Sequence, residues 1–353
     1  MSDFEKYSVI ELPRNVVVGH NVLEGIPKDC KRLGLAKSTL LVVDEVTKDI
    51  AGLEVEGYLQ DAGYDTDMIT IKEADWETIL GVGNLAKETG SGFLMGIGGG
   101  RPIDVAKCAS FNIHNHFMSV PTAASHDGIV SGRASVLVDG VKKSLEAQSP
   151  IAVVADTGII SKSPHRMLAA GCGDIISNKT AVLDWKLAHR LRNEDFSSYA
   201  ATLSEITADL LIDHADSIVP NTEESAWHVV KALTASGVAM SIAGSSRPAS
   251  GSEHKFSHAL DAIAEKPALH GEQCGIGSIM MMYLHGGDWH KLRDALKALG
   301  APTNVNDVEL TREDIIQALV KAHDIKPERY TILGYHGLTE EAAEKLARTT
   351  EVI

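Results

Sequence analysis

Short apolar runs alternate with longer amphipathic stretches up to about residue 155 of this chain, and beyond residue 160 the short runs stop. The runs at 16–18, 39–43, 67–71, 93–97 and 117–120 have strand length, and the stretches at 45–62 and 76–89 carry helical periodicity. Strands that alternate with helices predict a mostly parallel, doubly wound sheet. One interruption is expected: residues 134–138 and 141–145 flank Asp139-Gly140, a dipeptide suited to a tight hairpin turn, and a further strand follows at 151–155.

The remainder reads as helix. Ser163 and Pro164 suit an N-cap and first helical residue, and periodic stretches follow at 175–191, 196–218, 225–243, 254–264 and 273–284. With 353 residues, 44% of them hydrophobic, the chain can bury two cores. The expected architecture is a Rossmann-like α/β dinucleotide-binding domain over 1–160, with a mostly parallel sheet and a β-hairpin. An all-α metal- and substrate-binding domain over 161–353 would follow, with the active site in the interdomain cleft.

A net charge of −15 argues against nucleic-acid partners and anionic membrane surfaces, which need a basic face to displace counterions. An anionic small molecule is not excluded, but its pocket must be built from a few particular cations. No membrane-spanning run is present, and residues 1–15, with Asp3, Glu5 and Lys6, lack the apolar core of a secretory signal. Cys30, Cys108, Cys172 and Cys274 are too scattered for a disulfide framework, so a cytoplasmic location with free thiols is expected.

The run at 93–97 leads into Gly98-Gly99-Gly100-Arg101-Pro102-Ile103-Asp104. Residues without Cβ let backbone N–H groups approach a pyrophosphate, and the helix start behind them favours negative charge. It is neither a G-x-G-x-x-G nor a P-loop, and a tight turn that binds nothing has the same composition. A second loop, Pro121-Thr122-Ala123-Ala124-Ser125-His126-Asp127-Gly128, adds hydroxyls, an imidazole and a carboxylate at the next strand end. Ligands of open α/β sheets bind there. Asp44, ending the run at 39–43, stands where a carboxylate would meet an adenosine ribose.

Asp174, His254 and His270 offer a carboxylate and two imidazoles, the set of three protein ligands that leaves a catalytic metal one open position. Singly, each has an ordinary reading. Asp174, placed near the start of the 175–191 helix, could complement its dipole, and His254 with His258 at i, i+4 could be a surface pair. Arg247, Lys255 and His258 are the candidates for holding an anionic group of a substrate, although Arg247 and Lys255 also fit a solvated face.

Together these motifs resemble the superfamily of iron-dependent alcohol dehydrogenases, glycerol dehydrogenases and dehydroquinate synthases, over essentially the whole chain. Within it the likeness is to the archaeal glycerol-1-phosphate dehydrogenase branch. It rests on the glycine turn, the Pro121–Gly128 loop, Gly173-Asp174-Ile175-Ile176-Ser177-Asn178, Gly251-Ser252-Glu253-His254-Lys255-Phe256-Ser257-His258 and His270-Gly271-Glu272.

The resemblance implies that Asp174, His254 and His270 bind Zn²⁺ and that Asp127, Asp174 and His258 act on substrate. It implies that Gly98, Gly99, Gly100, Arg101, Pro102, Ile103 and Asp104, with Thr122, Ala123, Ala124, Ser125 and Ser131, hold NAD(H) or NADP(H). Asn178 stands where iron alcohol dehydrogenases carry a histidine, and Asp174 where dehydroquinate synthases carry glutamate. The implied reaction is reduction of dihydroxyacetone phosphate to sn-glycerol 1-phosphate, the glycerol backbone of archaeal lipids, with zinc polarising the C2 carbonyl. Glycerol dehydrogenase and a dehydroquinate synthase-like lyase are the alternatives, and a homo-oligomer is the expected assembly.

Overall fold

The computed structural model describes residues 9–138 and 140–353. Eight strands, β1 (Asn15–Gly19), β2 (Ser38–Asp44), β3 (Asp65–Ile71), β4 (Phe93–Gly98), β5 (His116–Pro121), β6 (Arg133–Val138), β7 (Val141–Glu146) and β8 (Ala152–Asp156), all precede residue 160. Interleaved with them are α1 (Ile26–Leu33), α2 (Glu45–Thr47), α3 (Leu53–Asp61), α4 (Trp76–Glu88) and α5 (Gly100–Asn112). Six strands form one sheet in the order β1-β8-β5-β4-β2-β3, every pairing parallel.

The five consecutive buried residues of β2 follow from its central place. Leu40 and Val42 point into one apolar cluster and Leu41 and Val43 into another, so the strand is covered on both faces and cannot show polar alternation. Each such side chain contributes about 1.5–3 kcal/mol of burial. The expected 45–62 helix is interrupted, since a π turn at Lys48–Gly52 separates α2 from α3. The α1 helix had no counterpart in the sequence reading.

The hairpin is antiparallel, β6 on β7, and separate from the main sheet. Its Gly140 has φ +77°; Asp139, like Asp3, Glu5 and Lys6 at the N-terminus, lies outside the described residues. Asp104 on α5 accepts from Ser135 N at 3.0 Å, and the fully buried Lys107 ammonium donates to Asp104 Oδ1 at 3.2 Å, to Gly128 O and to Arg133 O. A buried charge demands this many partners, and they clamp the hairpin to the sheet helix.

After the short α6 (Thr157–Ile160) come α7 (His165–Arg192), α8 (Ser198–Asp213), α9 (Glu223–Ala243), α10 (Ser252–Ile263), α11 (His270–Leu284), α12 (Trp289–Ala298), α13 (Arg312–Lys321) and α14 (Glu340–Thr349). Pro164 is the N-cap of α7 rather than its first residue, and Ser163 Oγ donates to Ile160 O instead of capping. The helix starts ten residues before position 175, so Asp174 lies in its interior and cannot complement a helix N-terminus. Ala170-Gly171-Cys172-Gly173 hid this, because glycine weakens helix propensity.

Those glycines are needed for close approach. A Cβ on Gly173 would stand 2.4 Å from Gly271 O, and one on Gly271 would stand 1.8 Å from Ala170 O. Helices α7 and α11 therefore touch backbone to backbone, one residue from Asp174 and one from His270.

Candidate active site

Helix α7 supplies Asp174, α10 supplies His254 and His258, and the first residue of α11 is His270. His254 Nε2 lies 3.8 Å and His270 Nε2 3.7 Å from Asp174 Oδ1. Cys274 Sγ joins them: one donor atom from each of the four residues falls within 4.8 Å of every other. Cys274 escaped the sequence reading because an isolated cysteine in an apolar helix reads as core. Its i, i+4 spacing from His270 was the available signal.

Hydrogen bonding sets both imidazole tautomers. Gln273 Nε2 donates to Ala268 O at 2.8 Å, which leaves Gln273 Oε1 to accept from Ser257 Oγ at 3.0 Å. The Ser257 proton is thereby used, so its 3.2 Å contact with His270 Nδ1 has the histidine donating. His254 Nδ1 donates to Glu253 Oε1 at 3.0 Å, and that carboxylate also accepts from Gly251 N and Thr180 Oγ1. Both Nε2 lone pairs are left facing Asp174, as metal-binding histidines require.

Burial holds His254 and His270 well below the usual histidine range, hence neutral, and pushes Asp174 well above the usual carboxylate range. Glu253 is pushed up to about 7, by burial first and by nearby Asp184 second. Two neutral imidazoles and a carboxyl group only 3% exposed, with no cationic side chain hydrogen-bonded to it among the described residues, form a donor set that fits a divalent metal.

Asp127 ties the sheet to this cluster. Its backbone N donates to Asp174 Oδ2 at 2.8 Å, and its own Oδ2 accepts from Ser236 Oγ at 2.8 Å. Burial raises the pKa of its carboxyl group. His258 Nδ1 is buried without a hydrogen bond, 3.8 Å from Asp261 Oδ2. Asp261 stays below the usual carboxylate range despite burial, because His258 and Lys142 oppose the desolvation. Asp261 was not singled out in the sequence, although its i, i+3 spacing from His258 was visible. A cavity of about 100 Å³ is lined by Asp127, His254, His258 and His270, together with Ser131 and Arg133.

The two strand-end loops are joined, with Thr122 N donating to Gly98 O at 2.9 Å. Gly98 has φ +153°, a region side chains avoid, while Gly99 has open space where a Cβ would be. Gly99, Gly100 and Arg101 are accessible, whereas Pro102, Ile103 and Asp104 are buried. Of the second loop, Thr122 and Ala124 are buried and Ala123 and Ser125 partly accessible; Ser131, also buried, contacts the cavity. Asp44 Oδ1 caps α2, accepting from Val46 N and Thr47 N, and its Oδ2 lies 3.9 Å from Arg101.

The phosphate candidates fare differently from one another. Arg247 is not on the cavity wall: it pairs through two nitrogens with Glu194 and donates to Tyr330 O at 3.0 Å. Lys255 Nζ donates to Arg329 O at 2.9 Å and His323 O at 3.4 Å. Both are buried and engaged, so the cavity is left with His258 from that trio.

The fold is the one shared by glycerol and iron-containing alcohol dehydrogenases. A probable glycerol dehydrogenase from Sinorhizobium meliloti superposes with a TM-score of 0.79 over 98% of both chains at 19% identity. A sulfoacetaldehyde reductase from Bifidobacterium kashiwanohense, in complex with NAD+, gives 0.77 at 16% identity, covering 98% of this chain and 99% of its own. Residues 17–164 match the family model for iron-containing alcohol dehydrogenase.

Sequence likeness is narrower. Glycerol-1-phosphate dehydrogenase [NAD(P)+] of Methanosarcina acetivorans is 59% identical over 98% of this chain and 96% of its own. The enzyme of that name from Thermococcus sibiricus is 52% identical over 98% of both. The chain belongs to the glycerol-1-phosphate dehydrogenase family, and it is an oxidoreductase.

Proposed function

We propose that this protein reduces dihydroxyacetone phosphate to sn-glycerol 1-phosphate with NADH or NADPH, supplying the glycerol backbone of archaeal membrane lipids. The observation that carries the reading is the convergence of Asp174 Oδ1, His254 Nε2 and His270 Nε2 beside a cavity that both histidines line with Asp127 and His258, in a chain of this family. Asp174, His254 and His270 would hold zinc, with Cys274 as a neighbouring donor. When bound, the metal supplies Lewis acidity at the substrate carbonyl and the nicotinamide supplies hydride.

The chain's own groups position and protonate. Gly98 to Arg101, at the start of α5, cradle the pyrophosphate with backbone N–H groups, and the Thr122–Ser125 segment with Ser131 flanks the nucleotide. Pro102, Ile103 and Asp104 act from beneath by packing the turn. Asp44 Oδ2 suits a ribose hydroxyl, and Arg101 beside it suits a 2′-phosphate, which fits use of both nucleotides. Asp127 orients the substrate. His258, with Nδ1 toward Asp261, has Nε2 on its opposite edge to deliver a proton to the nascent alcohol.

On this reading the chain divides near residue 160 into a nucleotide half and a metal half, and the enzyme is a cytoplasmic homo-oligomer. No helix among the described residues is long and apolar enough to cross a membrane. The test is NADH and NADPH oxidation with dihydroxyacetone phosphate before and after chelation, with chiral assignment of the product. Preference for unphosphorylated dihydroxyacetone would move the assignment to a glycerol dehydrogenase; phosphate release without net nucleotide oxidation would move it to a lyase.

A further inference from the structure

We propose that Asp261 is a positioning residue for the reaction, which orients His258 through one carboxylate oxygen and steadies the metal ligand His270 through the other. The inference rests on the reading above that His258 delivers the proton.

Asp261 lies on α10 one turn after His258, with its side chain only 4% exposed. Its Oδ2 faces His258 Nδ1 at 3.8 Å, about 0.6 Å beyond the long end of an N–H···O bond. His258 Nδ1 is buried without a hydrogen bond among the described residues, and a buried N–H left so costs about 1–3 kcal/mol. Closing the gap onto an anionic acceptor removes that cost and keeps a proton on Nδ1, which leaves Nε2 to the cavity that His258 lines. Catalytic hydrogen bonds are often long before substrate binds and tighten in the complex. When the imidazolium gives its Nε2 proton to the substrate alkoxide, the Nδ1 proton stays on the ring against Asp261, and water restores the one lost.

The other oxygen serves the metal site. Asp261 Oδ1 accepts from Gln273 Nε2 at 3.3 Å, and the second N–H of that amide goes to Ala268 O at 2.8 Å. Both amide protons are spent, so Gln273 Oε1 holds the Ser257 hydroxyl at 3.0 Å, and Ser257 Oγ accepts from His270 Nδ1 at 3.2 Å. Gln273 and Ser257 are fully buried, which shields this path from bulk solvent. The two rings it serves are neighbours, their centroids 5.9 Å apart.

A buried carboxylate needs compensation, and the hairpin supplies part of it. Lys142, exposed on β7, stands 3.6 Å from Asp261 Oδ1. Together with His258 it outweighs the desolvation that would otherwise protonate the group, so both oxygens remain acceptors.

The test separates the two oxygens. Asp261→Asn keeps an oxygen for Gln273 but removes the charge facing His258, and NADH fluorescence titration reports that the variant is folded. With zinc saturating, kcat for dihydroxyacetone phosphate is expected to fall roughly tenfold or more, while KM for ketone and NADH changes by less than about twofold. The fall should vanish in the His258→Gln background, where Asp261 has no proton donor to orient. Asp261→Ala also removes the acceptor of Gln273, so its zinc affinity, measured by chelator competition, should drop by about tenfold, with that of Asp261→Asn close to wild type. An unchanged kcat in Asp261→Asn, or an equal fall with and without His258, overturns the proposal.

One measurement needs no variant of Asp261. Nitrogen NMR of histidine-labelled, zinc-loaded wild type, with His258 assigned by its loss in His258→Gln, should show the neutral ring protonated on Nδ1. A neutral ring protonated on Nε2 overturns the proposal. Full activity in His258→Gln would sink the proton-donor reading instead, and the tautomer then decides by itself whether Asp261 orients the ring.

Discussion

The backbone N–H of Asp127 donates to Asp174 Oδ2 at 2.8 Å, joining the loop after β5 to the middle of α7. One carboxylate oxygen is thereby committed to the sheet and the other, Oδ1, left to the two imidazoles. A chain that must present nucleotide and metal to one substrate needs such a fixed link, because errors of about 1 Å in reacting geometry reduce rates by on the order of a hundredfold.

Asp174→Asn and His254→Ala are expected to abolish bound zinc and reduce turnover by roughly a thousandfold or more, the scale of losing Lewis-acid stabilisation of several kcal/mol. Metal analysis after gel filtration, with NADH fluorescence titration on the same samples, checks this. Retention of full activity in either variant would refute the ligand assignment.

Ser257→Ala removes the acceptor that fixes His270 Nδ1–H, while leaving the ligand itself in place. Loss of an outer partner of this kind lowers metal affinity by about 10–100-fold. A competition titration with a chromophoric chelator measures it, and an affinity equal to wild type would show that the tautomer is set elsewhere.

Gly271→Ala puts a methyl group 1.8 Å from Ala170 O, so α7 and α11 must separate. Backbone cannot yield as a side-chain tip can, and a loss of roughly 3 kcal/mol or more is expected, with reduced metal content. Urea unfolding provides the number; a variant as stable as wild type with full zinc would show the helix contact to be dispensable.

The pH response follows from Asp174. In the metal-free protein its carboxyl pKa is raised above the unfolded value, so the stability it contributes is complete below the unfolded pKa and is lost as pH rises through the folded one. A bound cation reverses that preference. Chelated protein should therefore lose thermal stability between acid and neutral pH relative to the zinc form. Apparent zinc affinity should rise by up to about tenfold per pH unit while Asp174 is still protonated. Parallel melting curves with and without chelator test this, and a chelation effect independent of pH would contradict it.

Arg101→Ala is expected to raise KM for NADPH by about tenfold while changing KM for NADH little, because the exposed guanidinium stands 3.9 Å from Asp44 where a 2′-phosphate would lie. Steady-state kinetics with both nucleotides checks it. Equal effects on the two would place the arginine at the pyrophosphate.

The sequence by itself determined the layout. Strand and helix periodicities are local, so the parallel sheet, the hairpin and the helical second half were legible, as were the glycine turn and the order Asp174, His254, His270. Helix α1 and the true start of α7 were not legible, because a short amphipathic segment and a glycine-rich helix carry weak local signals that packing overrides. Contacts across long sequence separation belonged to the tertiary structure alone. It brought Cys274 into the cluster, set Asp261 beside His258 and engaged Arg247 with Glu194. It also set both histidine tautomers through Glu253 and Ser257. A side chain's chemistry is written in its residue type, but its availability depends on which partners the fold places within hydrogen-bonding reach.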